Sequence, residues 1–146
     1  MSRMVIKIVG TQSIDDEKDE IELTTTGSIE ENDFAYIIRY SEQPEPPSAP
    51  IDVTVIVKKD GREAEIIRKG AVSSCLSVKK SGRVQCHYGT EYGNILMGIT
   101  AHEIETSVEN GEGSIYLAYD IDINGALASK NDIRLTFSKI QEKQNV

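Results

Sequence analysis

Polar side chains on otherwise apolar strand faces are where this sequence offers chemistry. Arg68 alternates with Ala64 and Ile66, Tyr88 with Val84 and Cys86, and Tyr119 with Ile115 and Leu117. Tyr36 and Tyr40 alternate with Phe34 and Ile38, and Tyr92 follows in Tyr88-Gly89-Thr90-Glu91-Tyr92-Gly93. A buried guanidinium is costly unless paired, and a buried phenol needs a hydrogen-bond partner. Two readings follow. Tyrosines around Arg68 would make a pocket for an anionic or flat aromatic ligand, with cation–π support. Alternatively Arg68, two residues before Gly70, snorkels to a rim, pairs with a carboxylate and plugs one end of the fold. The candidate ligand-binding residues are therefore Arg68, Tyr88, Tyr92, Tyr40 and Tyr119, and no catalytic residue is assigned.

The other chemistry-bearing motifs are weaker. Asp120-Ile121-Asp122-Ile123-Asn124-Gly125 matches the start of a calcium loop, but the closing bidentate position falls on Asn131, and the flanks alternate like strands instead of forming helices. A strand, its turn and the next strand is the simpler reading, so no metal is expected. His87 and His102 form no zinc-binding spacing with each other or with Cys75 and Cys86. No nucleophile elbow, phosphate-cradling glycine loop or dinucleotide fingerprint is present, so neither an enzyme nor a cofactor is expected. Cys75 and Cys86 read as small, reduced core residues.

The elements that must position these residues have period two almost throughout. Met4-Ile6-Ile8, Ile21-Leu23, Val53-Val55-Val57, Ala64-Ile66, Val72-Ser74-Leu76-Val78, Val84-Cys86, Ile95-Met97-Ile99, Ile115-Leu117 and Ile133-Leu135-Phe137 all alternate with polar residues. Strand side chains point alternately to opposite faces, so each run has one apolar, inward face. Inward positions include Ile38, Val55, Ile66, Leu117 and Leu135. Only Ala101–Val108 comes near a helical period, enough for a short helical turn. Asp60-Gly61, Ser81-Gly82 and Asn110-Gly111 separate alternating runs as tight hairpin turns do. Asp15–Glu22 reads as a solvated acidic loop leading into a strand. Pro44, Pro46, Pro47 and Pro50 make residues 44–50 a stiff, extended connection outside the sheet, a flap over one mouth or a linker. Eight to ten short antiparallel strands must hide their edges by closing or by stacking, and consecutive hairpins favour an up-and-down β-barrel over a sandwich.

Length and composition set the frame. The 146 residues fit one domain, residues 1–146. A formal net charge of −8 argues against nucleic acid and against an anionic membrane surface as partners. The 38% hydrophobic content suits a globular chain with a core, and no apolar run reaches the ~20 residues of a membrane span. No basic, apolar leader opens the sequence, so a cytoplasmic location is expected.

Several strings together resemble a known family. Gly10-Thr11-Gln12, Ile21-Glu22-Leu23-Thr24-Thr25-Thr26-Gly27 and Tyr36-Ile37-Ile38-Arg39-Tyr40-Ser41-Glu42 are similar to the YwiB-like family of small bacterial proteins. The resemblance continues through Ile67–Val72, Tyr88–Gly93 and Tyr116–Gly125, in order, over nearly the whole chain. It implies a calycin-type, lipocalin-like β-barrel with no assigned function and no catalytic residues to carry over. The proline stretch departs from the Thr-Gly turn usual in that family. Without any Trp, a plug at Arg68 would need a lid other than the tryptophan that covers the closing arginine of lipocalins.

Two functions follow as expectations. One is a barrel that holds a small, partly apolar, neutral or anionic ligand in its lumen. The other is a structural or interaction protein with a filled barrel, acting as a homo-oligomer or on a protein partner.

Overall fold

In the computed structural model, which describes residues 2–43, 46, 49–70, 73–90 and 93–140, every element is a β-strand. They are β1 (Ser2–Ile14), β2 (Glu17–Glu31), β3 (Ala35–Glu42), β4 (Ile51–Lys58) and β5 (Glu63–Lys69), then β6 (Ser74–Lys79), β7 (Val84–Thr90), β8 (Gly93–Glu109), β9 (Glu112–Ile123) and β10 (Ala126–Lys139). Each pairs antiparallel with its sequence neighbours, and β1 pairs with β10 from Met4↔Lys139 to Ser13↔Lys130, closing an up-and-down barrel. The described residues contain no helix, and hence none long and apolar enough to cross a membrane.

Alternation explains the core. Ile38, Val55, Leu117 and Leu135 are fully buried and Ile66 nearly so, all inside the barrel with Met4, Ile6, Ile99, Ile115 and Phe137. The turns carry the backbone that a right-handed strand twist asks for. Asn110 and Gly111 both have positive φ, as do Asn124 and Gly125, so each pair reverses the chain in two residues. Gly61 and Gly82, also at positive φ, sit in the turns joining β4 to β5 and β6 to β7.

Four expectations from the sequence are corrected. Phe34 is not inward but 74% exposed. The Asn32 side-chain oxygen accepts from the amides of Phe34 and Ala35, both at 2.8 Å, so the turn consumes Phe34 and the strand starts at Ala35. The acidic segment is no loop: the turn is confined to Asp15-Asp16, with Asp15 at φ 52°, and β2 runs on from Glu17. Ala101–Val108 is strand, not helix. A bulge between Ala101 and Glu103 carries the inward set from Ile99 and Ala101 to Ile104, and the three-residue step from Ala101 to Ile104 imitates a helical period. Cys75 lies on the outer face, exposed, whereas Cys86 is buried; both are free thiols. The Ser77 amide donates to the Cys86 sulfur at 3.5 Å, fixing Cys86 across the β6–β7 seam.

One seam is incomplete. β2 pairs with β1 along its whole length but with β3 only from Gly27↔Tyr40 to Glu31↔Tyr36. Beyond Gly27 the strands part. A side chain at Gly27 would run into the Arg39 carbonyl and the Ile6 side chain, so only glycine lets β2 and β3 meet this closely before they separate. The parting opens the barrel at the end where β3, β5 and β9 finish and β4, β6, β8 and β10 begin.

Candidate functional site

The open end holds a cavity of about 380 Å³. Its apolar wall comes from Ile8 of β1, Ile21 and Leu23 of β2, Ile51 of β4 and Ile133 of β10, and its polar groups from Glu22, Tyr40, Glu42, Gln43 and Arg68. Strand parity puts them there. Ile38, Tyr40 and Glu42 are successive inward positions of β3, while Ala64, Ile66 and Arg68 are those of β5. The Cα register pairs Tyr40 with Val53 and Val53 with Arg68, so tyrosine and arginine stand two strands apart, with β4 between them, on one level of the barrel.

Arg68 sits at the rim with its side chain 42% exposed, and its Nη2 lies 3.3 Å from Glu42 Oε1. Tyr40 is buried below the pair. Burial and the Glu42 charge push its phenol up to about 12, although the Arg68 guanidinium pulls the other way. Tyr119, half-buried on β9, is also raised, by burial first, with Arg68 again opposing. Arg68 is therefore within electrostatic reach of both phenols, and both stay protonated and able to donate near neutral pH.

Of the five residues expected at a site, the structure brings Arg68 and Tyr40 onto one cavity and places Tyr119 close by. The side chain of Tyr88 and all of Tyr92 lie outside the described residues. The proposed cation–π contact is not how Arg68 is held; its partner is Glu42. Cation–π pairs among the described residues are Lys59 over Tyr36 at 5.2 Å and Arg134 over Tyr116 at 4.7 Å, both away from this cavity. Glu42 was missed, though its parity with Ile38 and Tyr40 was a usable signal. Ser129 and Asn131 were missed too. Asn131 Nδ2 donates to the buried Ser129 Oγ at 2.9 Å on the inward face of β10, two residues before Ile133. A register shift between Leu127 and Ser129 hides that parity in the sequence.

The calcium-like string folds as a strand and turn. Asp122 receives Arg83 through two hydrogen bonds of 2.8 and 2.7 Å and accepts the Gly125 amide at 3.1 Å. These contacts hold its carboxyl below the usual carboxylate range, the Arg83 bond being the main cause. His102, at the β8 bulge, faces outward and lies 2.9 Å from Asp120; the His87 side chain is outside the described residues.

Comparison with known proteins agrees with the fold. The family model for a domain of unknown function, DUF1934, matches residues 6–135. The chain belongs to the DUF1934 family. Among solved structures, the crystal structure of ywiB protein from Bacillus subtilis matches with a TM-score of 0.81 at 18% identity, covering 96% of this chain and 93% of that one. The YwiB-like resemblance and the all-β antiparallel barrel thus hold for this DUF1934 chain. No curated protein matches it.

Proposed function

We propose that this DUF1934 barrel is a binding module, not an enzyme, and that its open end takes one small, partly apolar and neutral molecule. The observation that carries this is the Arg68–Glu42 pair over the cavity. The sequence alone allowed a neutral or an anionic ligand. Here the single guanidinium is already balanced by Glu42, and Glu22 lines the same cavity. An anion would have to displace Glu42 and leave its charge half-buried, a cost that a neutral group escapes. The pair still offers a donor and an acceptor, Tyr40 adds a phenol, and the isoleucines supply the apolar wall. A cavity of this size with a few convergent polar groups is in the range of small-molecule sites. An amide, lactam or polyol with an apolar tail fits that chemistry.

A thermal-shift series tests the reading. Neutral amides and lactams bearing short alkyl or aryl tails should raise the melting temperature, and the matched carboxylates should not. Arg68→Met and Tyr40→Phe should abolish the shift. Carboxylates that stabilise the protein while neutral analogues do not would overturn the reading.

A further inference from the structure

The geometry points to a two-phenol clamp at the open end: Tyr40 of β3 and Tyr119 of β9 close from opposite walls on one carbonyl oxygen of the bound molecule. Tyr119 thereby becomes a specificity-determining residue, and the ligand narrows to neutral carbonyl compounds, such as lactams and ketones, over polyols. The clamp rests on the reading of the cavity as a neutral small-molecule site.

The two tyrosines reach the mouth from different sides of the barrel. Tyr40 lines the cavity directly. Tyr119 is the next inward position of β9 after the fully buried Leu117, one step closer to the open end, and the register partner of Leu117 is Ile133, which lines the cavity. Between β3 and β9 lie β2, β1 and β10 on one way round the barrel and β4 to β8 on the other. The side chains still share one electrostatic field. Tyr119 is among the groups that raise the Tyr40 phenol, and Arg68 pulls on both. The two phenols thus approach each other across the lumen, beside the Arg68 guanidinium.

Their hydroxyls are also uncommitted. Among the described residues neither makes a hydrogen bond. Every sealed side-chain nitrogen and oxygen among those residues has a partner, so the Tyr40 hydroxyl must open onto free space, although only 5% of the residue is exposed. Its inward parity makes that space the cavity.

The donor count selects the group. A phenol shares its oxygen lone pair with its ring, so it donates better than it accepts. With the N–H groups that Glu42 leaves to Arg68, the mouth is rich in donors. A carbonyl oxygen has two lone pairs in one plane and no hydrogen of its own, so it takes one phenol on each. A polyol hydroxyl brings a hydrogen that must go to Glu42 or Glu22, in competition with Arg68 and Lys7.

The probes are N-hexylpyrrolidone, isotopically labelled at the carbonyl carbon, and glycerol monohexyl ether, each titrated into the full-length protein by calorimetry. The pyrrolidone should bind more tightly. Tyr119→Phe keeps the ring and removes one donor, so it should weaken pyrrolidone binding about 5–50-fold and leave the ether unchanged. Infrared difference spectra follow the labelled carbonyl, whose stretching frequency falls with each hydrogen bond. It should rise in Tyr40→Phe and in Tyr119→Phe, and rise further when both are combined. Wild-type protein decides alone if a variant does not fold: the bound carbonyl should absorb no higher than it does in water. A hydrocarbon-like frequency, a Tyr119→Phe variant that binds the pyrrolidone as wild type does, or tighter binding of the ether would overturn the clamp, leave the hydroxyls to water only and leave the cavity reading in place. Binding of neither probe would also overturn it, and the carboxylate arm of the thermal-shift series then decides the cavity reading separately.

Discussion

The Arg68 guanidinium stands 3.3 Å from the Glu42 carboxylate at the open end of the barrel, above the buried phenol of Tyr40. The arginine is held at the rim by an acid on the neighbouring side of the mouth, and the tyrosine keeps its proton because burial and that same acid disfavour a phenolate.

The phenol gives a stability signature at high pH. Tyr40 has its folded value raised to about 12 from 10.0. Between these values the unfolded chain loses the proton first, so its stabilising contribution is complete below pH 10 and is lost as pH rises through 12. The loss is on the order of 2 kcal/mol. Tyr40→Phe should flatten the fall in unfolding free energy over that window. An unchanged slope would contradict this environment for the phenol.

The interior is predicted to be unforgiving where alternation filled it. Leu117 is fully buried, so Leu117→Ala should lower stability by about 2–5 kcal/mol in denaturant unfolding. Gly27→Ala meets backbone, not a yielding side-chain tip, and should cost about 1–3 kcal/mol while disturbing the β2–β3 crease. A neutral result for either would contradict the packing described here.

These residues also show what was legible in the sequence. Period two located the inward set, and with it Tyr40 and Arg68, because every inward side chain of a strand obeys the same parity. Parity fails where an extra residue enters a strand. The bulge after Ala101 disguised β8 as a helical turn, and the register shift before Ser129 concealed the Ser129–Asn131 pair. Parity also says which face a residue takes, not whether a neighbouring strand covers it. Ile21 shares the parity of Leu23 yet stays exposed, because β3 leaves β2 at Gly27. The separation of β2 from β3 depends on packing between distant segments and left no local signal except the glycine.

The thiols should separate by exposure. Cys75 on the outer face should react with an aromatic disulfide reagent in the native protein, and Cys86 only on unfolding. Burial and the Glu65 charge raise the Cys75 thiol, so its reaction should accelerate as pH rises above neutral. Native modification of Cys86 first would contradict the placement of β6 and β7.

Asp122 is predicted to serve Arg83, not calcium. Its carboxyl titrates below the usual range, so the stabilisation it brings is present above pH 4 and fades as pH falls through its folded value. Arg83→Met should move the Asp122 titration upward when followed by NMR. Millimolar calcium should leave the melting temperature where it was; a rise that Asp122→Ala abolishes would show a metal site instead.

The central claim is that the open end holds a neutral small molecule between Arg68, Glu42 and Tyr40. Native mass spectrometry of the protein purified from its own host measures this most directly, because the intact complex reports bound mass and oligomeric state together. The account predicts a single bound species, released intact on activation as an uncharged molecule, and absent from Arg68→Met and Tyr40→Phe prepared the same way. Wild-type protein that flies free of ligand, or carries a species that both variants retain, would contradict it.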